Sequence, residues 1–145
     1  MYVFDTSTLP LLIIQISGAL TDTDMAKMEE GMQWGLTCPT KYVCVTLARR
    51  AARPDATARK RITEITDAGK QNDNCLAIGI VVVNDFVAGA LRVIRWVTPS
   101  PRPEKAFSAA AAALAWLQPY ADAAGLAVTE EARAKAIAID RGEPG

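Results

Sequence analysis

At 145 residues, half of them hydrophobic and 22% charged, the chain has the length and composition of one globular domain with a core of its own. Its 16 basic and 16 acidic residues cancel, which argues against a nucleic-acid binder, and no apolar run reaches the roughly 20 residues that span a bilayer. Histidine is absent, which removes imidazole acid–base chemistry, Ser-His-Asp and Cys-His nucleophiles and nearly all catalytic zinc sites.

The first residues carry no positively charged n-region, so no signal peptide is expected. Residues 1–4 and 11–16 read as two strands, joined by the turn formers DTSTLP into a hairpin that Gly18 ends. The run TDTD at 21–24 offers N-caps for a helix over 23–36. Met25, Met28, Met32 and Leu36 share one of its faces, either a stripe turned to the core or an adaptable binding surface. Trp34, near its end, would mark a partner surface if exposed. A buried strand follows over 41–48, then a loop over 49–54. Asp55 caps a helix over 56–70, whose apolar face is Ala58, Ile62, Ile65 and Gly69.

Residues 76–83 read as a strand buried on both faces. Asn84 turns the chain and Asp85 caps a helix over 86–97. The prolines of TPSPRP, 98–103, force an extended crossover to a very short edge strand at 105–107. Ser108 is the expected cap of a helix over 109–120, with Leu114, Trp116 and Leu117 anchoring it, Pro119 weakening its end and Gly125 closing the segment. Thr129 caps a last helix over 130–139, and the tail from Asp140 frays. Cys38, Cys44 and Cys75 are odd in number and lack C-x-x-C spacing, so they read as reduced thiols filling the core. Strands reached through helices lie parallel by right-handed crossovers. The result is an α/β domain: a mixed four- to five-stranded sheet, helices packed on it, and a C-terminal helix.

This order of elements resembles that of the SpoIIAA-like proteins, relatives of the STAS domain of anti-sigma-factor antagonists and also described as STAS/SEC14-like. The likeness rests on IQISGAL at 14–20 followed by Asp24, on VVVNDFVAGALRVIRWVTP at 81–99, and on FSAAAAALAWL at 107–117. It covers about residues 1–122 and leaves 123–145 as a helical extension and tail. It implies a bacterial, cytoplasmic, non-enzymatic regulatory domain that binds another protein, a regulator or a kinase-like partner. In the antagonists such a partner phosphorylates a serine, within an Asp-Ser-Ser/Thr-Gly run, at the start of the helix after the third strand. Here that stretch is Arg53-Pro54-Asp55-Ala56-Thr57-Ala58. Thr57 is its one hydroxyl for phosphorylation, and Asp55 either mimics a fixed negative charge or simply caps the helix.

Three places are candidates for function. Arg49, Arg50, Arg53, Arg59, Lys60 and Arg61 surround a helix N-terminus, with Asp55 among them. They form either a phosphate, nucleotide or acidic-partner site or a solvated basic face balanced by Glu29, Glu30, Glu64 and Asp67. Phe86, Trp96, Phe107 and Trp116 either line a pocket for an apolar ligand or belong to the core. The stripe Val128, Ala132, Ala136 and Ile139 either packs on its own domain or docks on a second copy in a homodimer. The alternative function is therefore a binder of a small apolar or anionic ligand, a lipid or nucleotide. An enzyme using lysine or carboxylate chemistry is a third reading. No catalytic residue, metal ligand, cofactor or stable membrane insertion is assigned.

Overall fold

The computed structural model of the protein describes residues 1–69, 72–82 and 101–143. The hairpin is β1 (Tyr2–Asp5) and β2 (Leu11–Gly18), and α1 (Asp22–Thr37) leads to β3 (Tyr42–Ala51). Then come α2 (Ala56–Ala68), β4 (Cys75–Val81), β5 (Glu104–Phe107), α3 (Ala110–Ala123) and α4 (Glu130–Asp140). One sheet runs in the order β1-β2-β3-β4-β5, with β1 antiparallel to β2 and every later pair parallel. This is the α/β class, with the mixed sheet and C-terminal helix that the pattern predicts. The helix expected over 86–97, and with it Asn84, Asp85, Phe86 and Trp96, lies outside the described residues.

Because β3 lies inside the sheet, strand alternation gives it two buried faces. Val43, Val45 and Leu47 face α3 and α4, in a core with Leu11, Ile13, Val81, Ala113, Leu114 and Leu117. Tyr42 and Cys44 join Leu12, Cys38 and Cys75 on the other side. There α1 and α2 supply Met25, Met28 and Ile65, packed with Tyr2, Ile14 and Ile16. All three cysteines are free and buried, as expected.

The start of α1 follows from TDTD. Thr21 accepts from the backbone of Asp24 (3.2 Å) and Asp24 accepts from the backbone of Thr21 (2.9 Å), a reciprocal capping box. Asp24 also accepts from the backbone of Tyr2 (3.0 Å), so the cap ties the helix to β1. The buried stripe of α1 departs from expectation. It runs through Met25, Met28, Gly31 and Gly35, with Met32 half-buried and Leu36 exposed. A Cβ at Gly31 would stand 3.0 Å from Phe4, and one at Gly35 only 2.6 Å from Asn72. Neighbouring side chains fill that space, so the helix approaches there through glycine. Trp34 is not an exposed anchor: its ring packs between Phe4 (5.1 Å) and Tyr42 (5.2 Å).

The C-terminal third corrects three expectations. Ser108 does not cap α3. Ala109 occupies the cap position without a side-chain bond, and the backbone N–H of Ala110 donates to Asp140 at 3.0 Å. The helix does not stop at the expected residue 120: α3 runs through Pro119 to Ala123. Pro119 and Ala115, the residue whose carbonyl loses its bond, are both exposed, so water replaces that bond. Asp140 is not frayed but buried: Arg49 donates Nε and Nη2 to its two carboxylate oxygens at 2.8 and 3.0 Å. Ala132 and Ala136 of α4 enter the same core as α3, with Val128 and Ile139 packed alongside, so this stripe is used within the chain. Lys135 adds an ion pair to Asp5 in the hairpin (2.6 Å).

Asp140→Asn is expected to cost about 2–4 kcal/mol, because it leaves Arg49 short of a counter-charge and weakens the cap of α3. Urea unfolding measures it. Arg49→Met combined with Asp140→Asn should cost less than the sum of the two single changes.

Candidate functional site

Strand β3 is longer than expected because β2 keeps pairing with it: Ser17 stands opposite Arg50 and Gly18 opposite Ala51. Arg49 and Arg50 are therefore strand residues, not loop residues. Arg49 falls on the α3/α4 face, in phase with Val45 and Leu47, and meets Asp140. It also donates to the Ser108 carbonyl (2.7 Å), while Arg50 donates to the Asp140 carbonyl (3.2 Å). Arg61 pairs with Glu29 on α1. The six cations thus do not form one site. Arg53, Arg59 and Lys60 remain at the start of α2, with Asp55 and Thr57.

The chain leaves β3 at Ala51, crosses through Ala52, Arg53 and Pro54, and enters α2. Asp55 caps it, accepting from the backbone of Ala58 at 2.7 Å. Arg53, Asp55, Thr57 and Lys60 are exposed, and Arg59 is half-buried. Behind this segment lies a cavity of about 270 Å³. Its floor is the α1/α2 side of the sheet, with Ile14 and Ile16 from β2, Thr46 and Ala48 from β3, and Ile78 and Ile80 from β4. Met28 and Met32 of α1 and Ala58 and Ile62 of α2 wall it, and residues 51–55 form one end. Its size is near the lower end for small-molecule pockets, about 300 Å³. Small side chains leave the space: Thr46, Ala48 and Ala58 stand where larger residues would fill it.

The aromatic residues singled out in the sequence do not make this cavity. Phe107 and Trp116 pack together (5.6 Å) against the α3-side core. Phe86 and Trp96 lie outside the described residues. The signal for the cavity was the run of small residues at alternate positions of β3 and on the inner face of α2.

Several titratable groups are displaced from their ordinary values. Hydrogen bonds from Thr21, then from Tyr2, hold the Asp24 carboxyl down at about 2, against its burial. The Lys135 hydrogen bond, then that of Ser7, brings Asp5 to about 2. Burial pushes Asp140 up, but the bonds from Arg49 and Ala110 outweigh it and leave it lowered. The bond to Asp140 raises Arg49. Burial raises the hydroxyls of Tyr2 and Tyr42, lifts Cys75 to about 11 and puts Cys44, in the cavity wall, well above its ordinary value. These carboxylates hold element ends, and the thiols stay protonated core groups. Among the described residues, no group of three or more Cys, Asp or Glu could hold a metal ion, and no helix is long and apolar enough to cross a membrane.

No protein-family model matches the sequence, and no curated protein does. Among solved structures, the chain is similar to the crystal structure of an uncharacterized protein of the DUF3478 family with a SpoIIAA-like fold, from Shewanella loihica PV-4. The two superpose with a TM-score of 0.57 at 20% sequence identity, over 81% of this chain and 92% of the other. The fold is SpoIIAA-like. At that identity the likeness is one of backbone arrangement, and it agrees with the resemblance carried by the order of elements. Within the SpoIIAA-like fold of this chain, the start of α2 presents Thr57 to solvent, while the Asp55 carboxylate is committed to the cap.

Asp5 and Asp24 set an acid limit on stability. Their folded values of about 2 lie below the ordinary carboxylate value. Their contribution is therefore complete above the unfolded value, about 4, and is lost as pH falls toward 2. Thermal midpoints taken from pH 6 to pH 2 should fall mainly below about pH 4. Asp24→Asn should lower the plateau and flatten the acid limb.

Proposed function

We propose that the chain is a non-enzymatic regulatory module of the STAS-like kind, acting by binding another protein where β3 passes into α2. The observation that supports this is the gathering of Arg53, Asp55, Thr57, Arg59 and Lys60 around one helix start, most of them exposed. Three cations beside the N–H groups of a helix N-terminus favour a partner with an acidic surface. Thr57, in the first turn, is the hydroxyl a kinase-like partner would phosphorylate, at a helix end where added negative charge is stabilising. This reading places the protein in the cytoplasm, which suits three free buried thiols. Its test is affinity capture on the immobilised chain, followed by titration of the recovered partner. Arg59→Glu with Lys60→Glu should weaken binding by about tenfold or more, as should added salt. A partner bound equally by the reversed chain counts against this surface.

A second reading takes the cavity as the place where the module would hold a small apolar ligand, between α2 and the sheet. Its lining is mainly Ile, Met and Ala, with Thr46 and Thr66 supplying hydroxyls. Ala58→Leu fills the space from α2 and should leave stability unchanged or raise it by about 0.5–2 kcal/mol. A ligand seen by native mass spectrometry of the wild-type chain should be missing from this variant. An unliganded wild-type mass, with no thermal shift across a panel of lipids and nucleotides, sinks the ligand reading and leaves the protein-binding one standing.

A further inference from the structure

The outer edge of β5 carries a further inference. Ile78 N–H donates to Pro103 O (3.0 Å) and Val82 N–H to Phe107 O (2.9 Å), with Lys105 opposite Gly79 and Phe107 opposite Val81. In such a parallel ladder the backbone groups of residues 103, 105 and 107 serve β4, and those of Ala106 point away from it. Ala106 and Lys105 are exposed. On the α3 side of this edge runs a half-buried aromatic row: Phe107 against Trp116 (5.6 Å), and Trp116 against Tyr120 (5.1 Å). The Lys105 ammonium lies 5.5 Å from the centre of the Phe107 ring.

We propose that this edge pairs with β5 of a second copy of the chain, antiparallel about a two-fold axis through Ala106, joining two sheets into one. The residues select that register. With Ala106 opposite Ala106, each N–H donates to the other copy's carbonyl. Lys105 then stands opposite Phe107 of the second copy, in the closer, non-hydrogen-bonded type of pair, with Cα atoms about 4.5 Å apart. Each ammonium can then sit over the second copy's ring, a self-complementary cation–π pair made twice by symmetry. Centring the pair on Lys105 instead would set two ammonium groups opposite each other, which is unfavourable. The two-fold axis is perpendicular to the sheet, so both α3 helices lie on the same side and the two aromatic rows approach one another. Pro103 and the four-residue length of β5 keep the pairing short, so the dimer dissociates on dilution.

Sedimentation velocity of the full chain over a concentration series tests this. The wild type should show a monomer–dimer equilibrium. Ala106→Pro removes only an outward-pointing N–H, a change that edge strands tolerate, and should give a monomer with an unchanged circular dichroism spectrum. Lys105→Glu, which keeps every backbone group, should raise the dissociation constant by roughly tenfold or more. A wild type that stays monomeric at its highest soluble concentration overturns the pairing, and so does a dimer indifferent to both changes.

Discussion

Strand β3 is hydrogen-bonded on both edges and packed on both faces, and the rest of the chain takes its position from that constraint. A strand so placed cannot leave a side chain unaccounted for. Its odd-numbered residues from Val43 to Leu47 enter the core under α3 and α4, and its even-numbered residues face α1 and α2. Arg49 continues the first series past the end of the apolar run. Its charge is met by Asp140, which also caps α3. One carboxylate thereby joins the central strand, the start of α3 and the end of α4. The C-terminal helix is in this sense a working part of the domain rather than an appendage.

The same alternation makes the cavity. On the α1/α2 side, Tyr42 gives way along β3 to the small residues Cys44, Thr46 and Ala48, and α2 offers Ala58 to the same cavity. Small residues at a strand's C-terminal end leave room beside the place where an open α/β sheet most often binds its ligands. The start of α2 closes one end of that room, with Arg53 and Lys60 exposed and Arg59 half-buried. An apolar interior and a basic exterior are thus built from one stretch, Ala51 to Lys60.

The hairpin and the strand–helix alternation were legible in the sequence because their signals are local: turn formers, capping residues and hydrophobic periodicity. Thr21, Asp55 and Thr129 each cap the helix they precede, through bonds to residues three positions on. The misreadings share one cause. Ser108 looked like a cap of the same kind, but the bond to α3 comes from Asp140, 30 residues away. Arg49 looked like a loop cation, and its partner is 91 residues away. Leu36 fitted the periodicity of α1, yet Gly31 and Gly35 are buried in the approach to Phe4, Tyr42 and Asn72. The cavity lies not among the aromatic residues but where Thr46, Ala48 and Ala58 are small, and small residues are a weaker mark in a sequence than aromatic ones.

What the sequence by itself determined is the α/β order, the caps at Thr21, Asp55 and Thr129, and the parallel pairing of strands reached through helices. These depend on steric and hydrogen-bonding preferences acting over a few residues. Only the tertiary structure decided which of the six clustered cations are neutralised within the chain, which carboxylate closes α3, and where the packing leaves room. Those outcomes depend on side chains brought together across the sheet from distant parts of the chain, and no local pattern records that meeting.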